Sequence, residues 1–274
     1  MNSPDPALLY DTTADVIRKA LRGLDMAPSR AAALCGLPER EVILASREPA
    51  DLDILIRLAP ALGLAPPALA GLPDYQPPAC PLEEITRLEL IFGDETVNAW
   101  LIDAGLGERI LFDTGDGSID ARAHLDDLPR PVLADPGLDV FITHNHGDHT
   151  GGLPGLKDLI RHLRGPGRAD PIQAGDQVVC SKLTIRAIDL PGHCDRALGY
   201  VIEGLPVPVC VTGDALFAGS IGGCAPGEPY RQALESLRKE VMTLPDETIL
   251  LPGHGPATTV GSERKANPFL ARPV

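Results

Sequence analysis

The chain has 274 residues, which is enough for one large domain or for a medium-sized domain with a small one. Hydrophobic residues make up 44% of it and charged residues 23%, as in an ordinary globular protein. The formal net charge of -14 opposes binding to nucleic acid phosphates and to anionic lipid headgroups, because both are negatively charged. We therefore expect neither nucleic acid nor a membrane as a partner.

Three features of the sequence favour the cytoplasm. No apolar run is long enough to form a transmembrane helix. The first six residues lack the basic start and the apolar core of a signal peptide. The six cysteines are scattered and form no CxxC pair, so we expect them to be the reduced thiols of a cytoplasmic protein.

The first part of the chain has the spacing of helices. Within residues 13–71, apolar side chains recur at helical intervals at Val16, Ile17, Ala20 and Leu21, and again at Leu52, Leu55, Leu58, Ala59 and Leu62. The residues that follow, up to Pro81, are rich in proline and predict a linker. We therefore divide the chain into a helical domain of residues 1–71, a linker of residues 72–82 and a main domain of residues 83–274.

Beyond the linker, the apolar period changes to that of strands. Strands are predicted at residues 85–92, 97–102, 109–112, 140–143, 178–188, 199–202, 207–212 and 248–251. Helices are predicted at residues 153–163 and 230–243. This order of strands and helices favours an α+β fold in which two sheets are sandwiched between helices.

Potential metal ligands are concentrated directly after the predicted strand at residues 140–143. His144, His146, Asp148 and His149 supply four such side chains within six residues, with turn-forming residues between them. Imidazole and carboxylate ligands suit zinc, with iron and manganese as alternatives. A plain polar loop would also be rich in such residues, but it would not predict partners elsewhere in the chain.

Three further candidate ligands also follow predicted strands. His193 stands in the sequence Leu-Pro-Gly-His, Asp214 in Val-Thr-Gly-Asp, and His254 again in Leu-Pro-Gly-His. Each turn delivers one side chain from a strand end to what we expect to be a common edge. His124 and His162 have no such setting, and we expect them to be ordinary surface or core residues.

This set of motifs resembles that of the metallo-β-lactamase superfamily, in its glyoxalase II-like branch. The HxHxDH motif of the family stands at residues 144–149, and the resemblance covers about residues 83–274. It implies a four-layer αββα sandwich that holds two divalent metal ions, zinc in the first place and iron or manganese as alternatives. The resemblance also implies how the ligands divide: His144, His146 and His193 at the first metal, Asp148, His149 and His254 at the second, and Asp214 as the bridge.

Other stretches resemble the same branch. Asp113, in the sequence Leu-Phe-Asp-Thr-Gly, matches an early acidic position, which implies a hydrogen bond that orients a metal ligand; an Asx turn is its plainer interpretation. Residues 213–222, 252–259 and 267–269, with Glu263, are similar to short bacterial glyoxalase II-like hydrolases. The pattern of zinc β-lactamases, with a Cys ligand and no bridging Asp, is not met.

Two departures bear on the substrate. Gly223 stands where the relatives commonly carry an Arg after Ser-Ile-Gly. The sequence also ends soon after Phe269, where glyoxalase II carries a helical domain that holds glutathione. Both weaken a glutathione thioester as the substrate without weakening the hydrolase assignment, and the sequence identifies no substrate-binding residue.

Residues 29–70 resemble the small helix-turn-helix domains of phage repressors. Residues 29–37 would form a helix and its turn, residues 38–45 the recognition helix, and residues 51–62 the next helix, in which Pro60 sits awkwardly. The recognition stretch carries two Glu and one Arg, whereas DNA readout needs basic and amide side chains. We therefore favour a role in packing, dimerisation or covering the active site over DNA binding, and a homodimer is left open.

The function we predict is that of a dinuclear metal-dependent hydrolase acting on a small molecule. A metal-bridging hydroxide would attack the carbonyl of a thioester or related ester, with Asp148 and Asp214 anchoring the metals and positioning the nucleophile. Two alternatives stay open. One is a persulfide dioxygenase with a single iron at the first site, and the other is a DNA-binding regulator with the metal domain as its sensor.

Overall fold

A computed structural model describes residues 8–117, 121–128 and 137–271 of the chain. The N-terminal part is helical, as the sequence predicts. Its helices are α1 (Thr13–Gly23), α2 (Pro28–Cys35), α3 (Glu39–Ala45), α4 (Leu52–Leu58) and α5 (Pro66–Gly71), with 3-10 helices at Ala59–Leu62 and Leu72–Asp74. Among the described helices, none has the length and apolar character needed to cross a membrane. The signal-peptide prediction falls on residues outside the described part.

Helix α1 shows how the local sequence sets these elements. The Thr12 hydroxyl accepts a hydrogen bond from the backbone N–H of Asp15, and the Asp15 carboxylate accepts one from the backbone N–H of Thr12, so the helix begins with a capping box. Val16 and Ile17 are fully buried on its inner face. Helix α4 ends earlier than predicted because Pro60 cannot lie inside an α-helix, and the chain continues as a 3-10 helix.

Helices α2 and α3 form the stretch that resembles a helix-turn-helix unit. Gly36 ends α2 in the left-handed conformation, with a φ of 66°, and Pro38 precedes α3. Glu39 and Glu41 lie in the first turn of α3. A molecule that contacts this turn would therefore meet two carboxylates. DNA binding by this unit and the division of the chain into domains stay predictions.

The first sheet follows the proline-rich stretch. Its described strands are β1 (Ile85–Phe92), β2 (Glu95–Gly105), β3 (Glu108–Phe112), β4 (Leu138–Phe141), β5 (Ile160–Gly165) and β6 (Asp170–Pro171). They lie side by side in chain order, antiparallel from β1 to β3 and parallel from β3 to β6. Helix α6 (Ala121–Asp126) and the 3-10 helix Leu153–Leu156 cover the outer face. The short helix α7 (Gly147–Thr150) follows β4.

The described strands of the second sheet are β7 (Gln177–Cys180), β8 (Leu183–Asp189), β9 (Leu198–Glu203), β10 (Val209–Gly213), β13 (Ile249–Pro252) and β14 (Thr258–Thr259). They lie in the order β14-β13-β10-β9-β8-β7. A small hairpin of β11 (Leu216–Phe217) and β12 (Ser220–Ile221) follows β10. Helix α8 (Glu228–Ser236) precedes β13, and helix α9 (Val260–Ala266) follows β14.

The two sheets face each other across an apolar core. The rings of Phe112, Phe141 and Tyr200 meet there, with centroids 5.3 to 5.4 Å apart. The N-terminal helices, α8 and α9 pack on the outer face of the second sheet in one continuous cluster, in which Ile17 of α1 and Val201 of β9 both take part. The fold is therefore the four-layer α+β sandwich that the sequence predicts.

Two predicted elements are wrong. Residues 153–163 do not form a helix, since they begin as a 3-10 helix and continue into β5, which pairs in parallel with β4. Pro154 and Gly155 disfavour a long helix, and β4 offers hydrogen-bond partners to the backbone that follows. Residues 178–188 are not one strand but the hairpin β7–β8, with Ser181 in the left-handed conformation at its turn (φ 51°).

Other elements differ from the prediction in extent. The helix predicted at residues 230–243 begins at Glu228 and becomes a π-helical turn over Leu237–Val241. The predicted linker begins with a 3-10 helix whose Leu72 is buried. The sequence did not predict α6, α9, β6, β14 or the β11–β12 hairpin, because runs of two to seven residues are too short for an apolar period to show.

Candidate metal centre

The candidate ligands leave the sheets at a common edge. Strand β4 ends at Phe141, two loop residues follow, and His144 begins the motif. His149 lies within α7 and is fully buried. Three further candidates follow the ends of β8, β10 and β13: His193, Asp214 and His254. The structure brings all seven predicted ligands together in two adjoining groups.

The first group consists of His144, His146 and His193. Nδ1 of His146 lies 3.0 Å from Nε2 of His144 and 3.0 Å from Nε2 of His193. Nitrogen atoms this close repel each other when each presents a lone pair, and a shared cation removes the repulsion. Zinc binds imidazole nitrogen at about 2.0–2.1 Å, so the spacing suits three nitrogens around one ion.

The second group consists of Asp148, His149, Asp214 and His254. Nε2 of His149 lies 3.2 Å from Oδ1 of Asp214, and Nε2 of His254 lies 3.4 Å from Oδ2 of the same carboxylate. Oδ2 of Asp148 lies 3.5 Å from Nε2 of His254 and 3.6 Å from Nε2 of His149. Oδ2 of Asp214 is also 3.6 Å from Nε2 of His193, so this carboxylate stands between the two groups.

Backbone carbonyls fix the orientation of two of the rings. Nδ1 of His254 donates to the Thr96 carbonyl at 2.6 Å, and Nδ1 of His193 donates to the Gly223 carbonyl at 2.9 Å. Each N–H donor leaves the lone pair of Nε2 directed at the centre. Gly223, which departs from the family pattern in its side chain, thus contributes through its backbone.

Asp113 lies directly behind His149. Its Oδ2 accepts hydrogen bonds from Nδ1 of His149 and from the Thr143 hydroxyl, both at 2.8 Å, and its Oδ1 accepts one from the Thr143 N–H at 2.8 Å. The backbone of Asp113 is left-handed, with a φ of 59°, which Asp tolerates better than most residues. The carboxylate therefore contacts a candidate ligand, as the resemblance implies, and its orienting role stays a prediction.

The electrostatics of the second group favour a cation. Among the described residues, Nε2 of His149 and Oδ1 of Asp214 are buried atoms without a hydrogen-bond partner, although they face each other at 3.2 Å. Burial acts to lower the pKa of His149, but the carboxylates of Asp214 and Asp113 outweigh it and hold that pKa well above its usual value. A positive charge, whether a proton or a metal, is stabilised at this point. The imidazole and carboxylate donors suit divalent transition metals.

Burial favours the neutral form of two imidazoles in the first group, those of His144 and His193. Burial is the main cause that lowers the pKa of His144 to about 4, and burial also lowers the pKa of His193. Neutral imidazole is the form that binds a metal. His254 differs, because hydrogen bonds with Asp148 and Asp214 outweigh its burial and raise its pKa to about 9. A metal at the second group would therefore compete with a proton.

Glycines allow the backbone to approach the centre. A Cβ atom at Gly253 would lie 2.1 Å from Oδ1 of Asp214 and 2.8 Å from Cε1 of His149. A Cβ atom at Gly222 would lie 1.8 Å from the carbonyl oxygen of Asp214. The glycine before His254 in the Leu-Pro-Gly-His sequence is therefore required by contact and not only by the turn.

Sequence reasoning missed two residues at the centre, Thr143 and Tyr10. The Thr143 hydroxyl lies 3.0 Å from Nδ1 of His144. Because Thr143 directly precedes the histidine motif, its contact with His144 could have been predicted. The ring of Tyr10 stacks on the ring of His254, with centroids 4.6 Å apart, and the Tyr10 hydroxyl donates to Glu95 at 2.5 Å. No local pattern connects Tyr10 with a ligand near the other end of the chain.

The two sheets between helices, with histidines and aspartates gathered at the strand ends, define the class of a metallohydrolase. The family model described as "Metallo-beta-lactamase superfamily" matches residues 92–171. The hydroxyacylglutathione hydrolase GloC of Haemophilus influenzae is 34% identical over 211 residues, which cover 66% of this chain and 91% of that protein. The chain belongs to the metallo-beta-lactamase superfamily, whose fold binds divalent metals.

Two further similarities agree with this assignment. A hydroxyacylglutathione hydrolase of Pseudomonas putida is 31% identical over 163 residues, or 57% of this chain and 60% of that protein, so the match spans less than two thirds of its length. The crystal structure of the BLEG-1 B3 metallo-beta-lactamase superposes with a TM-score of 0.57 at 25% identity, covering 68% of this chain and all of that one. The relatives carry hydrolase names, which places the chain among the hydrolase-type enzymes of the superfamily.

Proposed function

We propose that the protein is a dinuclear metal-dependent hydrolase that acts on a thioester or related ester of a small molecule. The position of Asp214 carries the proposal. Its carboxylate oxygens lie 3.2 to 3.6 Å from nitrogens of His149, His254 and His193, which belong to two different groups. A carboxylate between two sets of ligands suits a pair of cations a few Å apart.

Some residues of the centre would bind the metals, and others would orient these ligands through hydrogen bonds. His144, His146 and His193 would bind one metal, Asp148, His149 and His254 the other, and Asp214 both. When bound, such a pair lowers the pKa of a water towards neutrality and polarises a carbonyl oxygen. Asp113 and the carbonyls of Thr96 and Gly223 keep three of the imidazoles in the tautomer that presents Nε2.

The more exposed residues of the centre indicate where a substrate enters. The side chains of Asp148 and His193 are 13% and 18% exposed, and His146 is exposed, whereas His149 is completely buried. The substrate would therefore approach from the side of His146, Asp148 and His193. On that side Asp148 is the carboxylate that would position the nucleophile, while the more deeply buried Asp214 would anchor the metals.

The chemistry of the leaving group supports a thioester. A thiolate leaves with little help from a general acid. The imidazoles and carboxylates of the two described groups would be occupied by the metals, so they would not be free to protonate a poorer leaving group. The hydroxyacylglutathione hydrolases among the relatives act on such a bond by name, which supports the same class here. Gly223 offers no cationic side chain, so the thiol carrier is left open.

The test compares His146→Ala with His162→Ala. His146 belongs to the first group, whereas His162 lies on β5, pairs with Asp170 and is 44% exposed. We expect His146→Ala to lower kcat/KM for thioesters by at least about a hundredfold, as expected when a ligand of a catalytic metal is lost, and His162→Ala to leave it unchanged. Thioester hydrolysis that persists in metal-free protein at the same rate contradicts the proposal.

A persulfide dioxygenase with a single iron is the second candidate. Its supporting observation is that His144, His146 and His193 converge on one point without help from the second group. Metal analysis separates the two candidates when it is combined with an oxygen electrode. One iron per chain and persulfide-dependent oxygen uptake would favour the second candidate, and two metals with no oxygen uptake favour the hydrolase.

Zinc and a cytoplasmic location are further parts of the proposal. The imidazole-rich donor set supports zinc, and iron and manganese are to be compared with it by reconstitution. All six cysteines are free, three of them buried, which supports a reducing compartment. A panel of thioesters, lactones, phosphodiesters and a β-lactam would then define the substrate, the β-lactam being included because of the likeness to BLEG-1.

A further inference from the structure

The N-terminal segment reaches the second ligand group through Tyr10. The Tyr10 ring lies on the face of the His254 imidazole, with centroids 4.6 Å apart and planes inclined by 21°. On the adjoining side, the ring of Phe217 meets the same imidazole edge-on at 5.6 Å and 90°. With the Thr96 carbonyl on Nδ1, the ring of His254 is enclosed on three sides and only Nε2 faces Asp148 and Asp214.

Strand β2 holds Tyr10 and His254 through consecutive residues. The Tyr10 hydroxyl donates to the side-chain Oε2 of Glu95 at 2.5 Å. Thr96 is the next residue of the strand, and its backbone carbonyl accepts from Nδ1 of His254 at 2.6 Å. The backbone at Gly255 passes close by, since a Cβ there would lie 3.0 Å from the Cβ of Tyr10. The stacking distance is therefore set by the same strand that orients the imidazole.

Helix α1 fixes the segment that carries Tyr10. Lys19 of this helix pairs with Asp11 and also donates to the Ile221 carbonyl at 2.8 Å, which ties the start of the helix to the hairpin beside the centre. The Lys19 ammonium lies 4.9 Å from the centroid of the Phe217 ring. Both Asp11 and Lys19 are largely buried, at 6% and 17% exposure. These contacts fix the position of Tyr10.

We propose that Tyr10 is a positioning residue that holds the His254 imidazole in place for the second metal, so that the N-terminal helical segment forms part of the active site. This inference rests on the proposed dinuclear function. A neutral imidazole binds a metal along the direction of its lone pair, and a ring free to rock about its side-chain torsions loses affinity. The Tyr10 ring blocks one face and Phe217 packs against the imidazole at right angles to its plane, which leaves one orientation.

The experiment measures zinc affinity and does not depend on turnover. Apo protein is titrated with zinc against a chromophoric chelator, which yields the affinities of the two sites separately. We expect Tyr10→Ala to weaken the second site about tenfold, the lower end of the effect of removing a residue that supports a ligand. The first site, which Tyr10 does not touch, is expected to be unchanged. Tyr10→Phe keeps the stacked ring and is expected to retain most of the second-site affinity.

Tyr230→Ala is the matched control. Tyr230 also joins α1 to the main fold, since its ring packs against Gly23 and Phe269, and among the described residues its ring meets no candidate ligand. Tyr10→Leu keeps an apolar side chain but removes the flat ring that stacks on the His254 imidazole, and it serves as a second variant. Thermal unfolding verifies that each variant is folded. We expect Tyr10→Leu to lose second-site affinity and Tyr230→Ala to lose only stability.

The outcomes distinguish this inference from the proposed function. If wild-type protein binds fewer than two zinc ions, the dinuclear function fails and the inference falls with it. If wild type binds two and neither Tyr10→Ala nor Tyr10→Leu weakens the second site, the inference alone is overturned. It is also overturned if Tyr10→Phe is as weak as Tyr10→Ala, or if Tyr230→Ala weakens the second site equally.

Discussion

Replacing Asp113 by Asn changes one atom of the carboxylate that supports His149. The oxygen that accepts from the Thr143 N–H can remain, but the other becomes an NH2 group that faces Nδ1 of His149 and the Thr143 hydroxyl. His149 must then accept at Nδ1 and carry its proton on Nε2, which faces Asp214 at 3.2 Å. A protonated Nε2 cannot bind a metal.

The size of the effect follows from the hydrogen bonds that change. Backbone strain contributes little, because Asn tolerates the left-handed φ of 59° about as well as Asp does. Loss of a partner that orients a ligand typically costs about 10- to 100-fold in metal affinity, which corresponds to about 1.4–2.8 kcal/mol at 1.4 kcal/mol for each tenfold step. We expect the loss of metal affinity in Asp113→Asn to lie in the upper part of this range, because the Asn side chain favours the His149 tautomer that carries its proton on Nε2.

The measurement is the two-site zinc titration with a chromophoric chelator. Asp170→Asn is the matched control, because Asp170 also accepts from a histidine, Nδ1 of His162 at 3.3 Å, on an exposed part of the first sheet. We expect Asp113→Asn to weaken the second site and Asp170→Asn to leave both sites unchanged. Second-site affinity in Asp113→Asn equal to that of the wild type would refute the reasoning from the tautomer.

Two predictions concern stability. The fully buried carboxylate of Glu263 accepts hydrogen bonds from four donors, Tyr75 among them. Glu263→Ala leaves these donors unsatisfied and should lower the free energy of unfolding, measured by urea denaturation, by about 3–5 kcal/mol. A decrease below about 1 kcal/mol would contradict this. Burial acts to raise the pKa of Asp139, but hydrogen bonds from Arg161 and Cys180 outweigh it and lower that pKa. Asp139 therefore stabilises the fold above about pH 4, its unfolded value, and loses this effect as the pH falls through the lower folded pKa. Asp139→Asn should destabilise at pH 7 more than at pH 3, and an equal loss at both would show the reasoning wrong.

The sequence predicts well those elements whose apolar pattern appears within a single stretch of the chain. Alternation in β1 and the helical period of α1 reflect one buried face each, so their positions follow from single stretches of sequence. The convergence of His193 and His254 on one edge could be predicted because each follows a strand and a Pro-Gly turn, and strand ends share an edge.

The parts that could not be predicted depend on contacts between distant residues. Residues 153–163 contain enough apolar residues for a helix, yet pairing with β4 draws their second half into β5. Gly223 was noted for the side chain it lacks, while its role lies in a carbonyl that accepts from His193. Tyr10 precedes the first helix, and only the packing of α1 on the second sheet brings it to His254.

The rate of thioester hydrolysis by apo protein, followed as zinc is added in known equivalents, tests the central claim most directly. A dinuclear centre predicts little activity in the apo protein, a rate that rises as both ligand groups around Asp214 are filled, and a plateau at two zinc ions per chain. Hydrolysis by the apo protein at the full rate, unchanged by zinc or by its removal, would contradict the account.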